Sequence, residues 1–447
     1  MNNKNCEKII NYLLNKGFSD IKIIYIQKEK HTDTLKNDNI NYNSIIENGI
    51  SINFNYNDKQ YFIASSEFDN IKNIKKKINI LVKSNKNSNQ KFKLTDDVFS
   101  IIASEFEKFN VDEFQKQLIK FIDECKNKMN ISIPLLYERK RTFIVSPNNK
   151  SIYKEEFYYK MDIIVNAIIE KVNRFNYFSE SCVSSLDTLN KINVYEELKR
   201  LYGTLLKMKS IDNINQKSAV VLSKGIGGIL IHESCGHSLE SRELIKKTSV
   251  FCGINNVHNN EITIMDNPRI LKKFGSFEID DEGNESKCKC LIRKGKIEEY
   301  LCDENGNRYL KQKNSSSGRR ESYYNVFSSR MSNTYIEEGK YNFDDIINSI
   351  KEGYYVKNIL GGVVDTISGN FSFNCLETYK IINGSIDYST CYDNLTIIGN
   401  SLDVLKNITM IGNDLKFNCG ICGSESGFVY TTVGQPTIKI DNILMVS

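Results

Sequence analysis

Two of the four histidines in this chain lie close together, at His232 and His237, and Glu233 directly follows the first of them. Two imidazoles and an adjacent carboxylate form the minimal side-chain set of a hydrolytic zinc site. In such a site the imidazoles hold the metal, the metal acidifies a water molecule, and the carboxylate takes the proton. The segment therefore predicts a metal-dependent hydrolytic centre with Glu233 as its general base.

The spacing of the two histidines is unusual for a helical zinc motif. In the H-E-x-x-H motif of zinc proteases the histidines are four residues apart and share one helix face. Here they are five residues apart, which places them roughly 140° apart around an ideal α-helix. Both reach one metal only if the helix ends there or is distorted, and a one-residue π-bulge would realign them. Gly236 is expected to supply the backbone freedom for this distortion.

The apolar, glycine-rich lead-in and the H-E-x-x-G-H-x-L-E stretch resemble the TldD branch of the TldD/PmbA (TldD/TldE) metalloprotease family, which carries H-E-x-x-x-H. Eight further segments match that family in the same order: Thr248–Phe251, Phe277–Gly283, Gly318–Tyr323, Arg330–Tyr335, Gly361–Phe373, Met410–Leu415, Gly420–Gly423 and Gly434–Thr437. The first half of the chain is similar to the family only in length and pattern. A single match would be weak evidence, whereas an ordered series is strong evidence.

A catalytic zinc site usually has three protein ligands and one open position. The third ligand has three candidates: His258 in an asparagine-rich loop, Cys235 inside the motif, and Cys422 near the C-terminus. The position of Cys235 favours packing. The resemblance implies Cys422, because Gly-Ile-Cys-Gly matches the position of the family's cysteine ligand. A zinc-bound cysteine is a thiolate, which would lower the net charge of the site and moderate the acidity of the metal.

Cys419 and Cys422 also form a C-x-x-C pair, which is typical of half a structural zinc site or of a redox pair. A structural site needs a second such pair, and Cys288 and Cys290 have the wrong spacing for one. A redox pair needs a following helix, whereas the sequence after Cys422 favours a loop. Simple packing of Cys422 is the remaining alternative to ligation.

Three further polar features accompany the motif. Glu240 either orients an imidazole or lies on the surface. Arg319 and Arg320 either bind the oxyanion or a substrate carboxylate, or form salt bridges at a strand edge. Asp280–Glu282 precede a glycine, and this pattern favours a structural turn over a cation site.

The resemblance implies a zinc-dependent peptidase that cleaves peptides or unfolded protein segments. It also implies an active site enclosed within a homodimer, or within a heterodimer with a TldE/PmbA-like subunit that lacks the metal motif. Pairing of an extended substrate as an added β-strand would explain low sequence selectivity. A non-catalytic peptide-binding subunit is the main alternative, and a metal hydrolase acting on a non-peptide amide is another. The intact His232, Glu233, His237 and Cys422 argue against the binding subunit.

The composition indicates an ordinary globular protein. Of 447 residues, 40% are hydrophobic and 26% are charged, and the net charge is +5. This charge is too small to indicate a nucleic-acid or membrane partner. No apolar run approaches the roughly 20 residues that span a bilayer, and the N-terminus does not resemble a signal peptide. Without an export signal, the twelve cysteines favour reduced thiols and a cytoplasmic location.

Hydrophobic periodicity predicts an α+β fold in three parts. Residues 1–91 and 92–215 are expected to form an N-terminal and a central domain of helices and sheet. The first part ends in a polar segment, 84–91, that is typical of a linker. Residues 216–447 are expected to form a mostly β metalloprotease domain.

Two elements of this last domain are predicted individually. The apolar run Ser218–Leu222 predicts a buried strand that leads into the helix of the H-E-x-x-x-H motif. One further helix is expected at 343–352 among the short strands. The motif helix is expected to pack against the β-rich part, as the family resemblance also implies.

Overall fold

The computed structural model describes residues 3–37, 39–57, 59–67, 69–82, 92–94, 98–102, 106–125, 129–147, 149–312 and 315–447. Of the described residues, 22% are helical and 48% are in strands, and the C-terminal part is mostly β. The predicted α+β class is therefore confirmed. The linker predicted at 84–91 lies outside the described residues.

The helices in the described ranges are α1 Asn3–Asn15, α2 Ile71–Leu81, α3 Val111–Glu124, α4 Val194–Leu205, α5 Ile229–Ile231, α6 Ser241–Lys246, α7 Glu304–Leu310, α8 Phe343–Asn348 and α9 Ser401–Asn407. None of these helices is long and apolar enough to cross a membrane. The helix predicted at 343–352 ends four residues early, because strand backbone resumes at Glu352. Both α7 and α9 are short helices that the sequence did not predict.

The strands are β1 Ser19–Lys36, β2 Ile40–Tyr56, β3 Lys59–Ser65, β4 Val98–Ile102, β5 Met129–Ser146, β6 Asn149–Ile169, β7 Val172–Val183, β8 Met208–Lys209, β9 Asn215–Leu222, β10 Ile264–Asp266, β11 Lys289–Arg293, β12 Lys296–Ile297, β13 Gly318–Arg319, β14 Ser328–Ser329, β15 Asn333–Ile336, β16 Glu352–Val364, β17 Asn370–Ile382, β18 Ser385–Tyr392, β19 Thr396–Asn400, β20 Ile408–Ile411, β21 Lys416–Ser424, β22 Gly427–Gln435 and β23 Ile438–Val446.

The first seven strands form one sheet in the order β3-β2-β1-β5-β6-β4, with β7 also paired to β6. Strands from both predicted N-terminal parts therefore share this sheet, while the boundary between residues 91 and 92 stays a prediction. The helices cover the sheet with the apolar faces that their periodicity predicts. The fully buried residues of α1 are Cys6, Ile9, Ile10 and Leu13.

The C-terminal part contains two larger sheets. One has the order β12-β11-β10-β15-β22-β21, so that β21 is an outer strand. In the other, β16, β9, β23, β19 and β17 pair in a closed ring, because β17 also pairs with β16. The predicted strand at 218–222 is the buried end of β9 and lies within this ring. Val220 and Leu222 belong to the hydrophobic core that continues into the motif segment, whereas Val221 belongs to a second core.

Buried charges join the N-terminal sheet to the C-terminal part. The ammonium groups of Lys140 on β5 and Lys154 on β6 each lie 3.1 Å from Oδ1 of Asp281. Burial alone would raise the pKa of Asp281, but the two lysines hold that pKa far below its ordinary range. Asp281 is thus the shared counter-ion of two buried lysines, which supports the structural reading of the acidic segment.

Replacement of Asp281 by alanine is expected to destabilise the protein by about 3–5 kcal/mol at neutral pH, because buried Lys140 loses its counter-ion and buried Lys154 keeps only Glu156, at 3.4 Å. The depressed pKa in the folded state means that this contribution is present above the unfolded pKa of about 3.9. It is lost as the pH falls through the folded value, so the difference between wild type and variant should shrink in acid. Urea unfolding at pH 7 and in acid measures both effects.

The matched control is Asp187→Ala, which removes an exposed pair with Lys272 that also connects the two parts. Exposed ion pairs contribute little to stability, so this variant should unfold close to wild type. Equal unfolding of Asp281→Ala and wild type at pH 7 would contradict the counter-ion role.

Candidate metal centre

The H-E-x-x-x-H segment is a short, irregular helix that follows β9. Helix α5 passes directly into one π-helical turn over His232–Gly236, in which the N–H of His237 bonds the carbonyl oxygen of His232. The extra residue in the turn brings the two imidazoles to one side, with ring centroids 5.1 Å apart. Of the two arrangements that the spacing left open, a helix that ends and a helix that is distorted, the structure has the distortion, as a π-turn.

Gly236 has ordinary helical angles, with φ −54° and ψ −60°. The prediction that it supplies unusual backbone freedom is therefore wrong. A Cβ at this position would overlap with the Sδ of Met331, which is fully buried. Glycine is favoured here because it lets Met331 pack directly against the π-turn.

His232, His237 and Cys422 meet at one point. Their potential ligand atoms all lie within 4.8 Å of one another, and this is the one such histidine, cysteine or carboxylate cluster in the described residues. Sγ of Cys422 is 3.2 Å from Nε2 of His237. The π-turn positions the imidazoles, and β21 positions the thiol.

The other candidate ligands lie elsewhere. His258 is exposed in a loop, and Cys235 is fully buried in the hydrophobic core, as its packing role predicts. Cys419 is on β21 but contacts Ser179 on β7, with 3.2 Å between Sγ and Oγ. The segment after Cys422 continues as strand and turn, so no helix follows the C-x-x-C pair.

The surroundings shift the pKa values of Cys422 and His237 in opposite directions. Burial alone would raise the pKa of the Cys422 thiol, but the charges of His232 and His237 and their hydrogen bonds lower that pKa well below its ordinary value. Burial alone would lower the pKa of His237, but Glu240 and Cys422 raise it well above its ordinary value. The protein environment thus favours a thiolate beside the imidazoles.

These donors fit a zinc ion. Two imidazole nitrogens and a thiolate are zinc ligands of the expected number for a catalytic site, which leaves one position open. The Nδ1 atom of His232 is buried and has no hydrogen-bond partner among the described residues. Buried polar atoms are usually satisfied, so this nitrogen needs a partner beyond those that the described residues supply.

Glu233 and Glu240 are both close to the cluster but differ in their surroundings. Burial raises the pKa of Glu233, while His232 and His237 partly offset that rise. Glu240 is fully buried, and its Oε1 lies 3.2 Å from Nδ1 of His237. Of the two readings of Glu240 from sequence, the structure therefore matches the one in which it orients an imidazole.

The cluster lies where two cavities meet. One has a volume of about 720 Å³ and the other about 700 Å³, and His232, Glu233, Gly362 and Ile421 line both. The cavities lie between β16, which includes Gly362, and β21, which includes Ile421. Among the described strands, β21 pairs only with β22, and β16 beyond Val356 pairs only with β17. Two strand edges therefore line a cleft at the cluster.

Arg319 and Arg320 lie apart from this cleft. Arg319 donates from Nη1 to the carbonyl oxygen of Met331 at 2.7 Å, and Arg320 stacks over the ring of Phe327. Both are buried, and the small cavity that they line includes none of the three clustered residues. These contacts are a main-chain hydrogen bond and a ring contact instead of the salt bridges of the alternative prediction, and a substrate-binding role stays an untested prediction.

Sequence reasoning missed several residues around the cluster. It assigned no site role to Tyr177 on β7, which lines the larger cavity and donates to the carbonyl oxygen of Ile359 at 2.9 Å. It included Arg330 and Met331 in a matched segment but gave neither a role. Only the segment match marked these two residues in the sequence.

The fold and the histidine–cysteine cluster together define a protein of mixed helix and sheet with a candidate metal centre. The C-terminal domain model of the PmbA/TldA metallopeptidases matches residues 215–447. That match covers more than half of the chain, so the chain belongs to this family.

Curated relatives agree with the family match. A metalloprotease TldD homologue of Buchnera aphidicola is 39% identical over 54% of this chain and 50% of its own length. A zinc metalloprotease TldD homologue of Saccharolobus solfataricus is 30% identical over 50% of each chain. The aligned chain spans about half the length of these two relatives. A metalloprotease of Methanocaldococcus jannaschii is 29% identical over 94% of this chain and 95% of its own.

A solved structure extends the likeness to the whole fold. TldE from Thermococcus kodakarensis superposes with a TM-score of 0.70, covering 99% of this chain and 100% of TldE, at 16% identity. Since the identity is low, this likeness concerns the fold alone.

Proposed function

We propose that this protein is a zinc-dependent peptidase that cleaves peptides or unfolded protein segments, with Glu233 as general base. The observation that carries the proposal is the convergence of His232, His237 and Cys422 within 4.8 Å, beside Glu233 and at the cleft. A relative that bears the zinc metalloprotease name supports the choice of metal.

The residues at the cluster have two kinds of role, metal binding and proton transfer. His232, His237 and Cys422 would hold the metal, and zinc, when bound, supplies a Lewis acid that polarises water and the scissile carbonyl group. Glu233 takes the proton of the attacking water and passes it to the leaving amine. Burial raises the pKa of Glu233, which brings it closer to the pH at which a general base works well.

The cleft suits an extended chain. Strand edges on β16 and β21 offer main-chain hydrogen bonds on either side of the cluster. A peptide that adds to such an edge gains affinity from its backbone, which explains low sequence selectivity and excludes folded substrates. We propose that the working form is a homodimer or a heterodimer with a TldE-like subunit. Twelve free cysteines agree with a reducing, cytoplasmic location.

The test combines zinc content with cleavage of an unfolded reporter protein. The wild-type chain is expected to bind about one zinc ion and to cleave the reporter, to lose cleavage when a chelator removes the metal, and to regain it when zinc is restored. Zinc binding without cleavage, followed by cleavage after a TldE-like chain is added, would identify a required partner. Absence of zinc and of cleavage would instead favour a non-catalytic peptide-binding subunit.

A further inference from the structure

Arg330 is a buried charge that the proposed mechanism does not use. Both Arg330 and Glu240 are fully buried, with Nε of the arginine 3.9 Å from Oε1 of the glutamate. Nε also has no hydrogen-bond partner in the part of the chain that the structure describes. Burying two charges is costly unless their geometry is good. This long contact alone does not explain why an arginine lies here.

The other nitrogens of Arg330 hold the strand that carries Cys422. Nη2 donates to the carbonyl oxygen of Cys422 itself. Nη1 donates to Oγ of Ser426 at 2.8 Å and to the carbonyl oxygen of Gly427 at 2.9 Å. Ser426 lies in the turn between β21 and β22, and Gly427 begins β22. The guanidinium therefore fixes both the main chain of Cys422 and the turn that follows it.

Glu240 connects the same guanidinium to His237. Its Oε1 is the atom that lies 3.2 Å from Nδ1 of the imidazole. A carboxylate in this position fixes the orientation of a metal-binding imidazole. Arg330 thus contacts the partner of one ligand and the main chain of another, which lie far apart in sequence.

We propose that Arg330 is a positioning residue that holds His237 and Cys422 in the arrangement required to bind zinc. It acts through Glu240 on one side and through the β21–β22 turn on the other. The inference rests on the proposed zinc site.

The test measures the zinc dissociation constant of the full-length, metal-free protein by competition with a chromophoric chelator. Arg330→Met is expected to weaken zinc binding by about 10- to 100-fold, the usual effect of losing a residue that orients metal ligands. Arg330→Lys keeps the charge but lacks the planar fork that reaches several partners. It should recover part of the affinity and remain the informative variant if Arg330→Met does not fold.

Arg174→Met is the matched control, because it makes the same chemical change at another buried arginine. Arg174 pairs with Asp393 and donates to Oγ of Ser210, and none of these three residues lines the two cavities at the cluster. This variant should destabilise the fold, as Arg330→Met does, yet leave the zinc dissociation constant of the folded protein within about twofold of wild type. Equal weakening by Arg174→Met, or wild-type affinity in both Arg330 variants, would overturn the positioning role. A wild-type chain that takes up no zinc would instead overturn the zinc site itself.

Discussion

Glu233→Gln is expected to lower kcat for reporter cleavage by about 10²- to 10⁴-fold, the usual contribution of a general base. Glutamine keeps the shape of the side chain but cannot accept the proton of the attacking water. The zinc content should stay at the wild-type level, because the proposed ligands are His232, His237 and Cys422. The measurement is cleavage of the unfolded reporter together with zinc analysis of the same samples.

One control variant makes this result specific. Glu285→Gln applies the same chemical change to an exposed side chain that pairs with Arg269, and it should cleave like wild type. Wild-type cleavage by Glu233→Gln would remove Glu233 from the mechanism. Loss of both zinc and activity in Glu233→Gln would instead indicate that Glu233 shapes the π-turn, because the change would then have displaced the neighbouring ligand His232.

The need for an irregular motif helix could be predicted because short-range periodicity determines it. A separation of five positions between His232 and His237 is incompatible with one face of a regular helix, so the helix had to end or be distorted there. The structure shows which of the two occurs, a π-turn. The buried residues of α1 follow helical spacing as well. The helices α7 and α9 could not be predicted from the sequence, because each is short and has no extended apolar periodicity. Their N-cap side chains, Asp303 and Asn400, stabilise them locally.

The residues that support the cluster depend on contacts between distant segments. Arg330 is 92 residues from Cys422 in sequence, and no spacing rule connects them. Two interpretations of Glu240 were open because its burial beside Arg330 arises only in the folded chain. Gly236 is a similar case, since the side chain of Met331 determines the need for glycine. The residue types and their spacing thus predicted the clustered side chains, whereas the residues that hold them in place are brought together only by tertiary packing.

Cys422→Ser is expected to weaken zinc binding by at least about 100-fold, because a neutral hydroxyl replaces the thiolate that the cluster favours. The loss should exceed that of Arg330→Met, since a direct ligand is removed. Cobalt provides an independent readout. Cobalt-loaded wild type should show near-ultraviolet sulfur-to-metal charge transfer, and Cys422→Ser should lack that absorption.

Cys419→Ser separates ligation from a general effect of cysteine loss on β21. Cys419 lies on the same strand, three residues earlier, and its thiol contacts Ser179 instead of the imidazoles. This variant should keep both the zinc affinity and the charge-transfer absorption. If Cys419→Ser lost the absorption and Cys422→Ser kept it, the sulfur ligand would be misassigned. If both variants bound zinc like wild type, the site would hold its metal through the imidazoles and a group other than sulfur.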